Sequence, residues 1–108
     1  MSKVPPEATS PFITAEDAFE ARRKDPVGEV QKILDGTRED AERRKVHYNT
    51  HSILLSDEDA VSQLVSKFCV GEPNLEGQYP TYKTKLTPHN GANIVMITTG
   101  NSVIFMEE

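Results

Sequence analysis

Two dense apolar runs near the end of the printed sequence constrain the fold more than any other feature. They are NIVMITT at residues 93–99 and SVIFM at residues 102–106, and both are rich in β-branched residues. Such residues favour strands over helices. A third run, TYKTKL at residues 81–86, alternates lysine with other side chains at the period of a strand. The sequence therefore predicts three strands in this region.

Short polar segments between these runs predict how the strands connect. Asn90-Gly91 suits a turn between the first and second strands, and Gly100-Asn101 suits a tight turn between the second and third. Because such turns join antiparallel neighbours, we expect a meander in which residues 93–99 form the central strand.

The central strand carries apolar side chains on both of its faces. Successive side chains of a strand point to opposite faces, so Ile94 and Met96 lie on one face while Val95 and Ile97 lie on the other. We expect one face to meet a helix at residues 57–70. The other face requires a second cover, for which the candidates are the N-terminal helices or the sheet of a second copy of the chain.

The helix at residues 57–70 is indicated by a capping box and an apolar stripe. Ser56 and Asp59 have the spacing at which an N-cap and its reciprocal partner satisfy the first backbone amides. The stripe consists of Val61, Leu64, Val65, Phe68 and Cys69. The following stretch, VGEPNLEGQYP at residues 70–80, contains two glycines and two prolines, and this composition predicts a loop.

The beginning of the chain is predicted to be a tail followed by a short helix. Residues 1–12 contain three prolines and few apolar side chains, a composition that favours a flexible segment. Thr14 can cap a helix at residues 15–24, which has acids in its first turn and bases in its last turn, as the helix dipole prefers.

A second helical segment is predicted at residues 26–48. Asp25 followed by Pro26 has the pattern of an N-cap and a first helical residue. Gly36 can end a helix, and Thr37 with an acid three residues later repeats the capping-box spacing. We therefore expect a break or kink at Gly36, although one continuous helix is the alternative.

The stretch TREDAERRKVHY at residues 37–48 is polar on nearly every side. A helix of this kind either projects into solvent or bridges between subunits. We therefore interpret residues 13–48 as a charged helical arm and residues 49–108 as a compact core, within one domain overall. The seam of the arm is the predicted surface for a partner, and it consists of Val27, Val30, Leu34, Ala41 and Tyr48.

Composition excludes several classes of protein. The chain of 108 residues has 17 acidic and 12 basic residues, so it lacks the basic balance of a general nucleic-acid binder. The single cysteine, Cys69, cannot form an internal disulfide, and no apolar run is long enough to span a membrane. Because no secretory leader is recognisable either, we expect a cytoplasmic protein that does not enter membranes.

Residues suited to catalysis or metal binding are sparse. The nucleotide-binding, hydrolase and metal-binding motifs that are recognisable from short sequences do not occur. His47 and His51 have the spacing of two metal ligands on a helix but lack a third. Cys69 lies on an apolar stripe, which indicates a buried structural thiol rather than a nucleophile. We therefore expect no enzyme activity, no metal and no cofactor.

One cluster supports an alternative function. Aromatic rings can stack on bases and cationic side chains attract phosphates, so a set of such residues could bind an anionic small ligand such as a nucleotide. The candidate residues are Tyr79, Tyr82, Lys83, Lys85, His89, Arg43 and Arg44. The competing interpretation is a solvated strand face whose lysines protect the edge of the sheet.

Together these features predict an α+β fold with N-terminal helices and one amphipathic helix packed on a small antiparallel meander. The function expected first is that of a non-enzymatic interaction protein, regulatory or structural-accessory, that self-assembles and binds a protein partner through its arm. Roles of this kind include those of small virus-encoded inhibitors and adaptors. Capture of an anionic ligand is the alternative.

Overall fold

A computed structural model describes residues 15–108, so the predicted tail at residues 1–12 and the cap at Thr14 lie outside the described residues. The described part contains three helices and five strands. In chain order they are α1 (Ala15–Lys24), α2 (Pro26–Arg44), β1 (Ile53–Leu54), α3 (Glu58–Phe68), β2 (Cys69–Asn74), β3 (Thr81–Thr84), β4 (Ile94–Thr99) and β5 (Ser102–Glu107).

The strands form one antiparallel sheet in the order β1-β5-β4-β3-β2. β4 occupies the centre, and the meander of β3, β4 and β5 is the predicted one. Gly100 adopts a φ of +69° in the tight turn between β4 and β5, a conformation that glycine reaches without steric cost. The predicted α+β class is confirmed.

Helix α2 begins as its sequence predicts. The side chain of Asp25 accepts a hydrogen bond of 3.0 Å from the backbone N–H of Gly28, and Pro26 occupies the first turn. The helix ends at Arg44, after which Lys45 has a left-handed conformation and donates its backbone N–H to the carbonyl of Ala41.

The predicted break at Gly36 is wrong, because α2 continues through this residue to Arg44. A glycine inside a helix costs only about 1 kcal/mol relative to alanine. Buried residues on both sides of it, Leu34 and Ala41, hold the two halves of the helix against the protein. Packing therefore outweighs the local preference for a break.

The start of α3 differs from the prediction by one residue. Asp57 rather than Ser56 is the N-cap, and its side chain accepts a 3.0 Å hydrogen bond from the N–H of Ala60. The helix ends at Phe68 rather than at residue 70, because the chain turns directly into β2.

The first half of the predicted loop at residues 70–80 is a strand instead. β2 pairs with β3, and the pairing shifts between Val70 and Asn74, where the strand contains Gly71 at a φ of +68° and Pro73. Glycine and proline disfavour regular central strands, but an edge strand tolerates them because one side of its backbone has no neighbour.

The hydrophobic core lies between the sheet and the helices α2 and α3. From the sheet it contains Ile94, Met96, Val103 and Phe105, which share one face. Phe68 of α3 meets Phe105 edge to face, with ring centroids 6.0 Å apart. From the helices the core contains Val30, Leu34, Ala60, Val61, Leu64 and Phe68.

Helix α2 therefore belongs to the same core as residues 49–108. This packing corrects the prediction that residues 13–48 form an arm separate from a compact unit. The apolar seam of α2 contains few residues. It can still complete the core, because α3 packs against the same face of the sheet.

Candidate functional site

The structure places the predicted partner-binding seam inside the chain's own core. Val30, Leu34, Ala41 and Tyr48 are each at most 2% exposed, and Val27 is half-buried against the core. These residues cannot form a surface for another protein while the chain keeps this fold. The prediction is corrected because the amphipathic pattern specifies a buried stripe without specifying which chain buries it.

Tyr48 has a structural role at the end of this seam. Its hydroxyl donates a 3.1 Å hydrogen bond to the carbonyl of Leu34, and the guanidinium of Arg38 lies 5.3 Å from the centre of its ring. Burial raises the pKa of the Tyr48 hydroxyl to about 12, although the nearby Arg38 opposes this shift. Arg38 also donates hydrogen bonds to the carbonyls of Thr87 and Pro88. Hydrogen bonds thus attach α2 to Tyr48 and to the segment at Thr87 and Pro88.

The residues proposed for an anionic ligand do not converge. Tyr82 packs against the core on the inner face, whereas Lys83 projects from the opposite face of the same strand. Tyr79 is half exposed in the loop between β2 and β3, and Lys85 is exposed just beyond β3. No common pocket therefore joins these four side chains within residues 15–108.

The two arginines of that set are engaged at the end of α2. Arg43 and Arg44 form ion pairs with Asp40 at 2.6 Å and 3.2 Å, respectively. Because these pairs are solvent-exposed they contribute little stability, but they reduce the net positive charge offered to a ligand.

His89, the last residue of the set, is buried beside α2. It is 3% exposed, and its Nε2 lies 3.3 Å from the carbonyl oxygen of Val46. A carbonyl can only accept, so Nε2 carries the proton in this hydrogen bond. The ring also lies 6.1 Å from the ring of Tyr48. His89 thus helps to attach the turn before β4 to the segment after α2.

A small surface pocket of about 320 Å³ adjoins His89. Its lining residues are Ala41, Glu42, Lys45, His89 and Asn90. Glu42 and the negative end of the α2 dipole both disfavour an anion here, while Lys45 favours one. The pocket is therefore not the phosphate site that the alternative function requires.

The other candidates for reactive chemistry have ordinary structural environments. Burial raises the pKa of the Cys69 thiol to about 11, which keeps it protonated and unreactive at neutral pH. A 2.9 Å hydrogen bond from His47 to the carboxylate of Glu107 is the main reason that the pKa of Glu107 lies below its ordinary value. Across residues 15–108, no group of three histidine, cysteine or acidic side chains is arranged to hold a metal ion.

The outer face of the sheet, opposite α2 and α3, has the composition of an interaction surface. Residues paired directly across neighbouring strands point to the same face. Val95 of β4 pairs with Lys83 and with Met106, and Ile97 of β4 pairs with Thr81 and with Ile104. The outer face, as defined by these pairs and their neighbours, consists of Leu54, Val70, Asn74, Thr81, Lys83, Val95, Ile97, Thr99, Ser102, Ile104 and Met106.

Apolar side chains occupy the middle of the outer face. Val95 is 6% exposed, and Ile97, Ile104 and Met106 remain partly exposed. Towards the two edges, Leu54 and Val70 are nearly half exposed. None of these six belongs to the core cluster under α2 and α3. Among the described residues paired across the face, only Lys83 is charged.

The loop between β2 and β3 adds apolar surface at one end of the sheet. Leu75 is 68% exposed and Tyr79 is 46% exposed. The loop is attached to the central strand because the N–H of Thr98 donates a 3.1 Å hydrogen bond to the carbonyl of Pro80. Leu75 and Tyr79 therefore lie beyond the end of the sheet at which β3 begins.

The two edges of the sheet are poorly suited to adding a further strand. β1 has only two residues, and its Leu54 carbonyl already accepts a 3.1 Å hydrogen bond from Arg22 of α1. β2 is interrupted by Gly71 and Pro73. Short, irregular or proline-containing edges resist strand pairing. The outer face is therefore a more regular surface than either edge.

Part of this surface was foreseeable. The alternation within residues 93–99 identifies Val95 and Ile97 as a second apolar face that needs a cover. Ile104 and Met106 follow from the same alternation once β5 is aligned with β4 across the Gly100-Asn101 turn. Leu54 and Val70 could not be found in this way, because both lie in segments whose strand pairing depends on tertiary contacts.

No helix within residues 15–108 has the length and apolar character that a membrane span requires. No protein-family model matches the chain, and comparisons with curated proteins and with solved structures also found no match.

Proposed function

We propose that the protein is a non-enzymatic interaction protein that binds another polypeptide through the outer face of its sheet. The observation that supports this proposal is the apolar centre of that face, formed by Val95, Ile97, Ile104 and Met106, all of which lie outside the core cluster under α2 and α3. Contiguous exposed apolar patches on proteins of this size mark binding surfaces.

The layout of the outer face resembles that of protein interfaces in general. Such interfaces combine an apolar centre that is depleted in charge with a polar rim. Here the centre is aliphatic, and Thr81, Lys83, Thr99 and Ser102 surround it. A rigid sheet also presents these side chains with little loss of conformational entropy on binding, because the strands already fix the backbone.

The proposal moves the predicted contact from α2 to the sheet. Assembly through Val30 and Leu34 would require the core to open, whereas assembly through Ile97 and Ile104 leaves the fold intact. Regulatory, inhibitory and structural-accessory roles are all consistent with such a surface. The single buried Cys69 suits the reducing conditions of the cytoplasm, where we place the protein.

The experiment that tests this function compares matched lysine variants in a binding assay. Tagged wild-type protein and the variants Ile104→Lys and Gln63→Lys are incubated with an extract of the producing cells and with a differently tagged copy of the chain. Captured polypeptides are then quantified by mass spectrometry. Gln63 is an exposed residue of α3, so its variant controls for the added charge.

We expect Ile104→Lys to lose at least one captured polypeptide, whether a different protein or the second tagged copy, that wild type and Gln63→Lys both retain. The proposal fails if no captured polypeptide depends on Ile104 while circular dichroism shows that all three proteins are folded.

A further inference from the structure

We infer that the occupant of the outer face is a second copy of this chain, bound face to face so that two sheets form a symmetric sandwich. The inference rests on the proposed function and specifies its partner. Three features of the described residues favour a second copy over other occupants: the distribution of charge, the condition of the sheet edges and the dimensions of the face.

Charge favours self-association through this face and disfavours it elsewhere. The chain carries a net charge of −5, so two copies repel each other, and acids within their contact surface would add to that repulsion. The residues paired across the outer face include no carboxylate, and Lys83 is their one charged side chain. The exposed sides of α2 and α3, by contrast, carry several acids, including Glu39, Asp57 and Asp59.

The two edges of the sheet are unsuited to pairing with a second copy, which leaves the outer face for that contact. Homodimers of β-proteins can form by joining edge strands into one continuous sheet, which needs a regular edge with free backbone groups. Within the described residues, β1 is too short, with its Leu54 carbonyl bonded to Arg22, and β2 is irregular at Gly71 and Pro73. Stacking of faces is therefore the available mode.

The geometry of the face places Ile97 at the centre of the sandwich. β4 is the middle strand of the five, and Ile97 lies in the middle of the three side-chain rows on the outer face. Two face-to-face copies must be related by a two-fold axis in the plane of the interface, so a central residue meets its own counterpart. Packed sheets lie about 10 Å apart with strands rotated by about 30°, which lets aliphatic side chains interdigitate.

The dimensions of the face predict a weak dimer. Strands about 4.8 Å apart and residues about 3.3 Å apart give the five short strands a face of roughly 400 Å² in projection. A standard stable interface buries about 800 Å² per partner. Even with Leu75 and Tyr79 at its margin, this face is smaller than a standard stable interface. We therefore expect a dissociation constant in the micromolar range rather than the nanomolar range.

The test is the solution mass of the purified full-length chain, measured by sedimentation equilibrium from about 10 μM to about 1 mM, a range that covers weak association. Wild-type protein is expected to shift from the mass of one chain, 12.0 kDa, towards twice that mass as its concentration rises. Ile104→Lys is expected to weaken association at least tenfold, because each chain would then bury a lysine charge in the interface with the other chain.

Two further variants keep the interpretation specific. Gln63→Lys adds the same charge on the opposite side of the molecule and should associate like wild type. Ile104→Thr keeps the β-branched shape that suits a strand but removes apolar surface, so it should also weaken association. It takes the place of Ile104→Lys in the test if that variant is poorly folded.

The inference is overturned if wild-type protein remains a single chain at every concentration, or if folded Ile104→Lys and Ile104→Thr both associate like wild type. This failure can be distinguished from failure of the proposed function. A monomeric wild type that captures a different polypeptide through Ile104 contradicts the second copy but retains the interaction surface. A monomer that captures nothing contradicts both.

Discussion

The hydroxyl of Tyr48 lies 3.1 Å from the carbonyl oxygen of Leu34, to which it donates a buried hydrogen bond. This contact joins the middle of α2 to the segment that leads from the helix into the sheet. The polar stretch at residues 37–48 is thus attached to the chain's own core through its last residue, Tyr48.

Replacement of Tyr48 by phenylalanine should destabilise the protein by about 1 kcal/mol, the typical contribution of one such hydrogen bond. The ring stays in place, so its packing and its contact with Arg38 remain. Urea unfolding followed by circular dichroism measures the change. Tyr79→Phe is the matched control because Tyr79 is half exposed and donates to no carbonyl in the described structure, and its effect should be within about 0.5 kcal/mol. Equal effects of the two variants would contradict this role of Tyr48.

The same residue predicts how stability depends on pH in the alkaline range. Burial raises the pKa of Tyr48 from 10.0 to about 12. Between these values the unfolded chain has lost the Tyr48 proton while the folded chain retains it. The unfolded state then binds fewer protons, so the free energy of unfolding falls as pH rises from 10 to about 12.

Urea titrations at a series of pH values measure this dependence. We expect Tyr48→Phe to lose less stability than wild type over that interval, because its side chain has no proton to release. Tyr79→Phe should keep the slope of wild type. If Tyr48→Phe and wild type had the same slope, the hydroxyl of Tyr48 would have to ionise at a similar pH in the folded and unfolded states.

Gly36→Ala should stabilise the protein by about 0.5 to 1 kcal/mol, because alanine has the higher helix propensity and restricts the unfolded chain. Gly36 lies inside α2, is exposed, and has no atom within 4 Å of the position that a Cβ would occupy. Thermal or urea unfolding measures the gain.

The contrasting variant is Gly100→Ala. Its residue has equally open space but a φ of +69°, which alanine adopts only with strain, so this variant should be destabilised. A loss of stability in Gly36→Ala would show that the helix depends on a bend at this residue.

The double variant Lys83→Ala with Lys85→Ala separates the interaction function from capture of an anionic ligand. Lys83 lies on the outer face, Lys85 is exposed just beyond the end of β3, and the neighbouring Tyr82 packs against the core. Because Lys83 belongs to the outer face, association is compared with Lys85→Ala alone, which should retain the concentration-dependent mass of wild type. We also expect isothermal titration of wild type with ATP to give no saturable heat. Saturable binding that disappears in the double variant would support the anionic ligand instead.

Local sequence patterns were sufficient for most of the secondary structure. The acids and bases at the ends of residues 15–24, the Asp25-Pro26 start of α2 and the two-residue period after Thr81 each depend on interactions between near neighbours. Such interactions act in any tertiary context. They therefore identified three helices, the meander and its central strand correctly.

The errors arose where distant contacts outweighed local preference. Gly36 and Thr37 have the local pattern of a helix end, but the burial of Leu34 and Ala41 on either side of them keeps α2 continuous. The stretch from Val70 to Asn74 has the composition of a loop, but hydrogen bonding to β3 makes it a strand. Neither contact can be recognised within a short window of residues.

The candidate site, like the fold, was predictable from the sequence only in part. The sequence alone determined that β4 has two apolar faces, because alternation follows from the geometry of a single strand. Only the tertiary structure decided that α2 and α3 share one core with the face of Ile94 and Met96, while Val95 and Ile97 lie outside that core. An amphipathic helix gains nearly the same free energy from any apolar surface that it buries, so the choice between its own sheet and another chain depends on how the chain connects the elements in space.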